Sequence, residues 1–142
     1  MGYLPDTNVF IEILRGRNQR LRERLAGEPL DNVRLSAVVL GELMVAIEKG
    51  AAAPQRIALG RLKDIHTVAP IDTDAALAYA RVRADLERRG LVIGANDMWI
   101  AAQALAHDLT LVTANTREFS RVSGLKIVNW QADASEDREL AG

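Results

Sequence analysis

The chain has 142 residues, 49% apolar and 26% charged, enough for one domain that buries its own core. The absence of cysteine excludes thiol catalysis, cysteine-bound zinc and disulfides, and fits a reducing cytoplasm. A formal charge of −1 excludes a global pull on polyanions and 4% aromatics argue against a base-stacking platform, while no apolar run reaches the roughly 20 residues of a membrane span or resembles an export signal.

Residues 3–5 read as a short strand, followed by a helix over Thr7–Arg15. Gln19–Ala26 reads as a second helix, with Arg17, Arg20 and Arg24 on one stripe and Leu21 and Leu25 on another. Residues 33–36 form a strand; Ser36 is poised to cap a helix over 38–49, and Gly50 stops it. Pro54 opens a helix through Ile57, Leu62 and Ile65, and 67–71 is the next strand. Asp72 and Thr73 cap a long helix to Arg89 and Gly90. Residues 92–96 are a glycine-containing loop, 97–107 an alanine-rich helix, and 109–113 and 125–128 the last strands. Residues 1–131 are thus one domain, and the polar, acidic run 132–142 is expected to be a disordered tail.

Alternating strands and helices predict a parallel sheet with helices against it, and ligands bind such sheets beyond the carboxyl ends of the strands. Asp6 follows the first strand directly, and Asn115 lies just past LTLVT, with Glu118 three residues on. Glu42 is the single charge in VVLGELMVAI, a helix that reads as buried on both sides, and Asp97 opens the apolar run MWIAA. Each position has an ordinary structural reading. Asp6 and Asp97 can be helix caps, Glu42 a cap or an arginine's partner, and Thr7 and Thr113 local hydrogen-bonders. Taken together, several carboxylates facing one sheet edge exceed what capping requires, and they cannot ionise side by side without a counter-cation. Hard oxygen ligands select Mg²⁺ or Mn²⁺ over zinc. Such an ion activates water and neutralises charge on a phosphodiester, so hydrolysis without a side-chain nucleophile is the expected chemistry.

The segments LPDTNVFIE, SAVVLGEL, GANDMWIAAQAL and LTLVTANTREFSRVSGLKIVNW resemble the sequence blocks of the PIN domain, in order and over residues 3–130. More narrowly, they are similar to VapC-type ribonuclease toxins of bacterial toxin–antitoxin pairs. The resemblance implies an α/β three-layer sandwich around a central parallel sheet of about four or five strands. It implies a Mg²⁺-dependent endoribonuclease, Mn²⁺ substituting, with Asp6, Glu42 and Asp97 as metal-binding and catalytic acids. Asn115 or Glu118 would complete the site, and Thr7 and Thr113 would contact substrate or support the acids. It further implies a cytoplasmic homodimer, an RNA substrate, a small VapB-like antitoxin in the acidic pocket, and no membrane. The TREF version of the last block suggests structured RNA such as transfer RNA. Two positions depart from the family pattern: Asn115 stands where an acid is common, and Pro5 precedes the DTN block. A proline lacks a backbone donor, so Pro5 is expected at an edge or a strand end.

The arginines of residues 15–24 read equally as a guide for an RNA backbone and as a solvated face, as do Arg81, Arg83, Arg88 and Arg89. His107–Asp108 lacks further ligands, since His66 is the only other histidine. Two other classes fit an acidic pocket on a parallel sheet. One is a catalytically silent PIN module acting by partner binding. The other is a phospho-accepting receiver-type domain, which expects paired acids after the first strand and a nearby lysine; here Thr7 follows Asp6, and Lys49, Lys63 and Lys126 are not at suitable strand ends.

Overall fold

Helix joins each strand to the next and carries the chain back across the sheet, so every strand pairing among the described residues is parallel. The computed structural model describes residues 2–132, so the tail expected at 132–142 lies, beyond its first residue, outside the described residues. The strands are β1 (Gly2–Pro5), β2 (Leu35–Ser36), β3 (Val68–Ala69), β4 (Leu109–Val112) and β5 (Ile127–Val128). Between them run helices α1 (Thr7–Arg15), α2 (Gln19–Ala26), α3 (Ala37–Glu48), α4 (Ala53–Ile65), α5 (Thr73–Arg89), α6 (Ala95–Ala106) and the single turn α7 (Thr116–Phe119), with a 3-10 turn at Leu30–Asn32.

Strands β1, β4 and β5 form one ladder and β2 and β3 another. A bridge between Tyr3 and Val33, with Arg34 N donating to Tyr3 O at 2.9 Å, joins them in the order β3-β2-β1-β4-β5. The five strands agree with the expected sheet. The chain leaves β1 in one direction through β2 and β3, then returns to its other side for β4. This reversal opens a crevice at the carboxyl ends of β1 and β4, the usual ligand position in such sheets.

Pro5 is the last residue of β1, in the middle of the sheet, and it satisfies the strand-end alternative. Successive residues of a parallel strand turn their backbone polar groups to opposite neighbours. Tyr3 faces β2 and Asp6 N donates to Val112 O of β4 at 3.0 Å, so the donor missing at Pro5 is on the β2 side. There the pairing is reduced to the Tyr3–Val33 bridge. The β4 side, which positions Asp6, keeps its hydrogen bond.

Local signals explain most helix ends. The Asp6, Asn18 and Asp72 side chains accept from Val9, Leu21 and Ala75 N, and Ser36 Oγ accepts from Val38 and Val39 N. Gly16 and Gly90 end α1 and α5 at φ of 65° and 66°, a conformation open to glycine. The core gathers around Leu4, Leu35, Ile100, Leu111, Phe119 and Trp130, all essentially inaccessible. Strands β2, β3 and β5 are shorter than the apolar runs that contain them, because only two residues of each find a ladder partner. Among the described residues no helix is long and apolar enough to cross a membrane.

Leu111 is fully buried in β4, next to the site-forming strand end. Leu111→Ala should lower the unfolding free energy by about 2–5 kcal/mol, read from urea denaturation with an unchanged slope.

Candidate active site

At the carboxyl end of β1 the chain turns into α1, and Asp6 is the capping residue at that turn. Its Oδ1 accepts from Val9 N at 2.9 Å. Its Oδ2 accepts from the hydroxyl of Thr113, directly after β4, at 2.6 Å. Asp6 is therefore both a cap and a member of the site. Each carboxylate oxygen can accept more than one bond, so both keep capacity for a further ligand. Thr113 is fully buried and its hydroxyl reaches across 107 positions of sequence, a role beyond the local hydrogen bond expected of it. Its oxygen also accepts from Asn115 N at 2.9 Å, which sets the course of the loop into α7.

That loop clarifies the roles of Asn115 and Glu118. Asn115 Nδ2 donates to Glu118 Oε2 at 2.6 Å. An ionised carboxylate only accepts, so the amide must present its nitrogen to it. Asn115 thereby steadies the acid one helical turn away, while buried Phe119 anchors α7 beneath.

Asp97 is not a cap. Helix α6 begins at Ala95 after Gly94, two residues before the expected start, and Asp97 sits within its first turn without a capping hydrogen bond. The first-turn amides favour a carboxylate there. Glu42 requires a correction. Helix α3 is not buried on both sides: Val39 and Leu43 are its buried residues, Val45 is 47% exposed, and Glu42 is half-buried. A helix apolar on nearly every face predicts enclosure, yet part of that surface faces outward in the single chain.

Charges link these groups. Burial holds the Asp6 carboxyl above its usual value, and the Glu42 charge adds to this, while bonds from Thr113 and Val9 oppose it. Asp97 is pushed up to about 6, by burial first and then by the charges of Asp6, Glu118 and Glu42. Among the described residues none of the four acids forms an ion pair with lysine, arginine or histidine. The arginine partner expected for Glu42 is therefore not found among the described residues. Arg15, at the rim of the adjoining cleft, is paired with Glu12 at 3.0 Å.

The cleft, about 530 Å³, runs between α1, α3 and α4, with Thr7 and Glu42 at its polar end and Ile11, Leu14 and Leu59 along its apolar length. Thr7 Oγ1 is buried there without a hydrogen-bond partner. Among the described residues no three acids or histidines already enclose an ion-sized space. The donors are nonetheless all hard oxygens short of positive charge, with a free hydroxyl beside them, and that set fits a hard dication. Sequence reasoning missed Gln103 and its bond to Ser36; the one signal was a polar residue inside the apolar run IAAQALA.

A model of the PIN domain matches residues 3–125, and the chain belongs to the PIN-domain family. The chain is 32% identical over 132 residues to a tRNA(fMet)-specific endonuclease VapC of Salmonella typhimurium, covering 92% of this chain and 98% of that protein. It is 30% identical over 132 residues to Ribonuclease VapC1 of Rickettsia felis, covering 90% and 96%. Among solved structures it resembles a chain of VapBC-1 from nontypeable Haemophilus influenzae, at a TM-score of 0.82 and 29% identity over 93% of this chain and all of that one. It also resembles one of DNA-bound VapBC from Salmonella typhimurium, at a TM-score of 0.80 and 32% identity over 92% and 98%.

A raised carboxyl binds its proton more tightly in the folded state, so it contributes stability below the ordinary carboxylate range that is lost as pH rises through the folded value. For Asp97 that loss runs from 3.8 to about 6. In divalent-free buffer Asp97→Asn should therefore raise the urea midpoint at about pH 7.5, and the gain should disappear near about pH 3.5. Thr113→Val should lower stability by about 1–3 kcal/mol and move the Asp6 carboxyl further up, as read by carboxyl NMR titration.

Proposed function

We propose that the chain is a divalent-metal-dependent endoribonuclease of the VapC type, the toxin of a toxin–antitoxin pair. The observation that carries this reading is the Asp97 carboxyl, made to hold its proton more tightly by burial and by the charges of Asp6, Glu118 and Glu42, with no cationic side chain paired to any of the four acids among the described residues. The relatives bear the names of ribonucleases and of a tRNA(fMet)-specific endonuclease, which supports RNA, transfer RNA included, as the substrate. Membership of the PIN-domain family sets the receiver-type reading aside.

Asp6, Glu42 and Asp97 would hold Mg²⁺, with Mn²⁺ as a substitute, and Glu118 would complete the acidic wall. The bound ion supplies an activated water and neutralises phosphate charge. The protein's own part is placement. Thr113 and Val9 N fix both Asp6 oxygens, Asn115 holds Glu118, and the first turn of α6 presents Asp97 with its oxygens uncommitted. Thr7, its hydroxyl buried in the cleft wall, and Arg15 at the rim would adjoin a substrate entering the cleft.

A VapB-like antitoxin would fill the apolar cleft beside the acids, as support from VapBC relatives suggests. A second copy would cover the outward apolar surface of α3, where Val45 is exposed. Such a toxin would act in the cytoplasm, in keeping with the cysteine-free sequence.

Asp97→Asn should reduce RNA cleavage by about 100-fold or more with an unchanged circular dichroism spectrum. Expressed without a partner, it should also relieve growth inhibition. Excess EDTA should stop cleavage and added Mg²⁺ or Mn²⁺ restore it; equal cutting in EDTA would defeat the metal mechanism.

A further inference from the structure

Among the described residues five polar or charged ones are buried: Asp6, Ser36, His66, Gln103 and Thr113. Asp6 and Thr113 bond each other in the acidic site, and His66 lies 3.1 Å from Val33 O with its ring edge-on to Phe10. The remaining two form a separate network. Ser36 Oγ donates to Gln103 Oε1 at 2.5 Å, and Gln103 Nε2 donates to Ala69 O at 2.9 Å and Pro70 O at 3.1 Å. Ser36 Oγ also accepts from Val38 and Val39 N, two amides in the first turn of α3.

Chemistry dictates the orientation of this amide. The two carbonyls can only accept, so they require the nitrogen. The serine oxygen is occupied by backbone donors and must give its proton to the amide oxygen. One side chain of α6 therefore grips the end of β3 with one atom and the β2–α3 junction with the other. Glu42 lies six residues after Ser36 on α3, and Asp97 six before Gln103 on α6. The clasp joins the two helices that carry two of the site's acids.

Helix α3 needs such a clasp because its sequence supplies little rotational preference. Apolar residues surround it, only Val39 and Leu43 are buried, and several equally apolar faces could pack inward. Apolar contact tolerates small rotations and slides, whereas a hydrogen bond fixed at both ends does not. We propose that Gln103, through Ser36, is a positioning residue that sets the rotation of α3 so that Glu42 faces Asp97. The proposal rests on the nuclease reading of those acids.

The cysteine-free chain allows a direct test, with spin labels at Glu48→Cys on α3 and Ala95→Cys on α6, both exposed. Gln103→Met keeps length and removes all three hydrogen bonds. It should broaden the interlabel distance distribution, lower kcat for RNA cleavage about 10-fold with KM within about twofold, and weaken Mn²⁺ binding by calorimetry about 10-fold. Ser36→Ala should behave like Gln103→Met, and Ser36→Thr, which keeps the hydroxyl, should restore the wild-type distribution and kcat. Should Gln103→Met not fold, the Ser36 pair decides by the same readouts. A folded Gln103→Met with wild-type distances, or with broadened distances but wild-type kcat and Mn²⁺ affinity, overturns the proposal. A wild-type protein that neither binds Mn²⁺ nor cuts RNA would refute the nuclease reading, while unchanged distances in Gln103→Met would separately refute the clasp.

Discussion

The fully buried hydroxyl of Thr113 donates to the largely buried carboxylate of Asp6 at 2.6 Å, and this bond ties together the two strand ends between which the sheet reverses its order. Asp6 N, bonded to Val112 O, adds a backbone tie at the same level. An acid buried there would be costly without donors, and the Thr113 hydroxyl and Val9 amide supply them. They offset the penalty without removing it, since Asp6 still holds its proton more tightly than an exposed aspartate. The loop that carries Asn115 and Glu118 hangs from the same threonine oxygen.

Around this fixed point the charges are left unbalanced. Asp97 feels Asp6, Glu118 and Glu42, and no cationic side chain among the described residues answers any of the four. Elsewhere on the surface opposite charges meet readily, as in Arg83 with Glu87 and Lys126 with Asp108. The contrast is local, and it resembles the pattern of functional sites, where stability is forgone for a group that only a ligand can satisfy. The fold tolerates the repulsion because the acids come from separate elements, each anchored by its own buried neighbours: Val9 and Phe10 in α1, Leu43 in α3, Met98 and Ile100 in α6, Phe119 in α7.

Where the sequence was legible, a local physical rule operated. Ser36 and Asp72 cap the helices expected of them, because a short acceptor before an apolar-periodic run meets amides that would otherwise lack partners. Pro5 at the end of β1 obeys the rule that a missing donor belongs where a ladder stops. Reading failed where the deciding neighbour was remote. Asp97 resembled a cap, but the helix started at Ala95, leaving its carboxylate uncommitted. Glu42 looked enclosed because an all-apolar helix leaves its buried side undetermined by pattern alone, and the structure leaves part of α3 uncovered.

The sequence by itself determined the alternation of strands and helices, hence a parallel sheet, and the resemblance to the family whose model matches residues 3–125. Periodicity and capping act within a few residues, so they can be read along the chain. Only the tertiary structure decided that Thr113 serves Asp6, that Asn115 supports Glu118, and that Gln103 bonds Ser36 at the start of the helix bearing Glu42. The bonds of Thr113 and Gln103 join residues 107 and 67 positions apart, and hydrogen bonding at such separations follows from packing geometry, which no local pattern encodes.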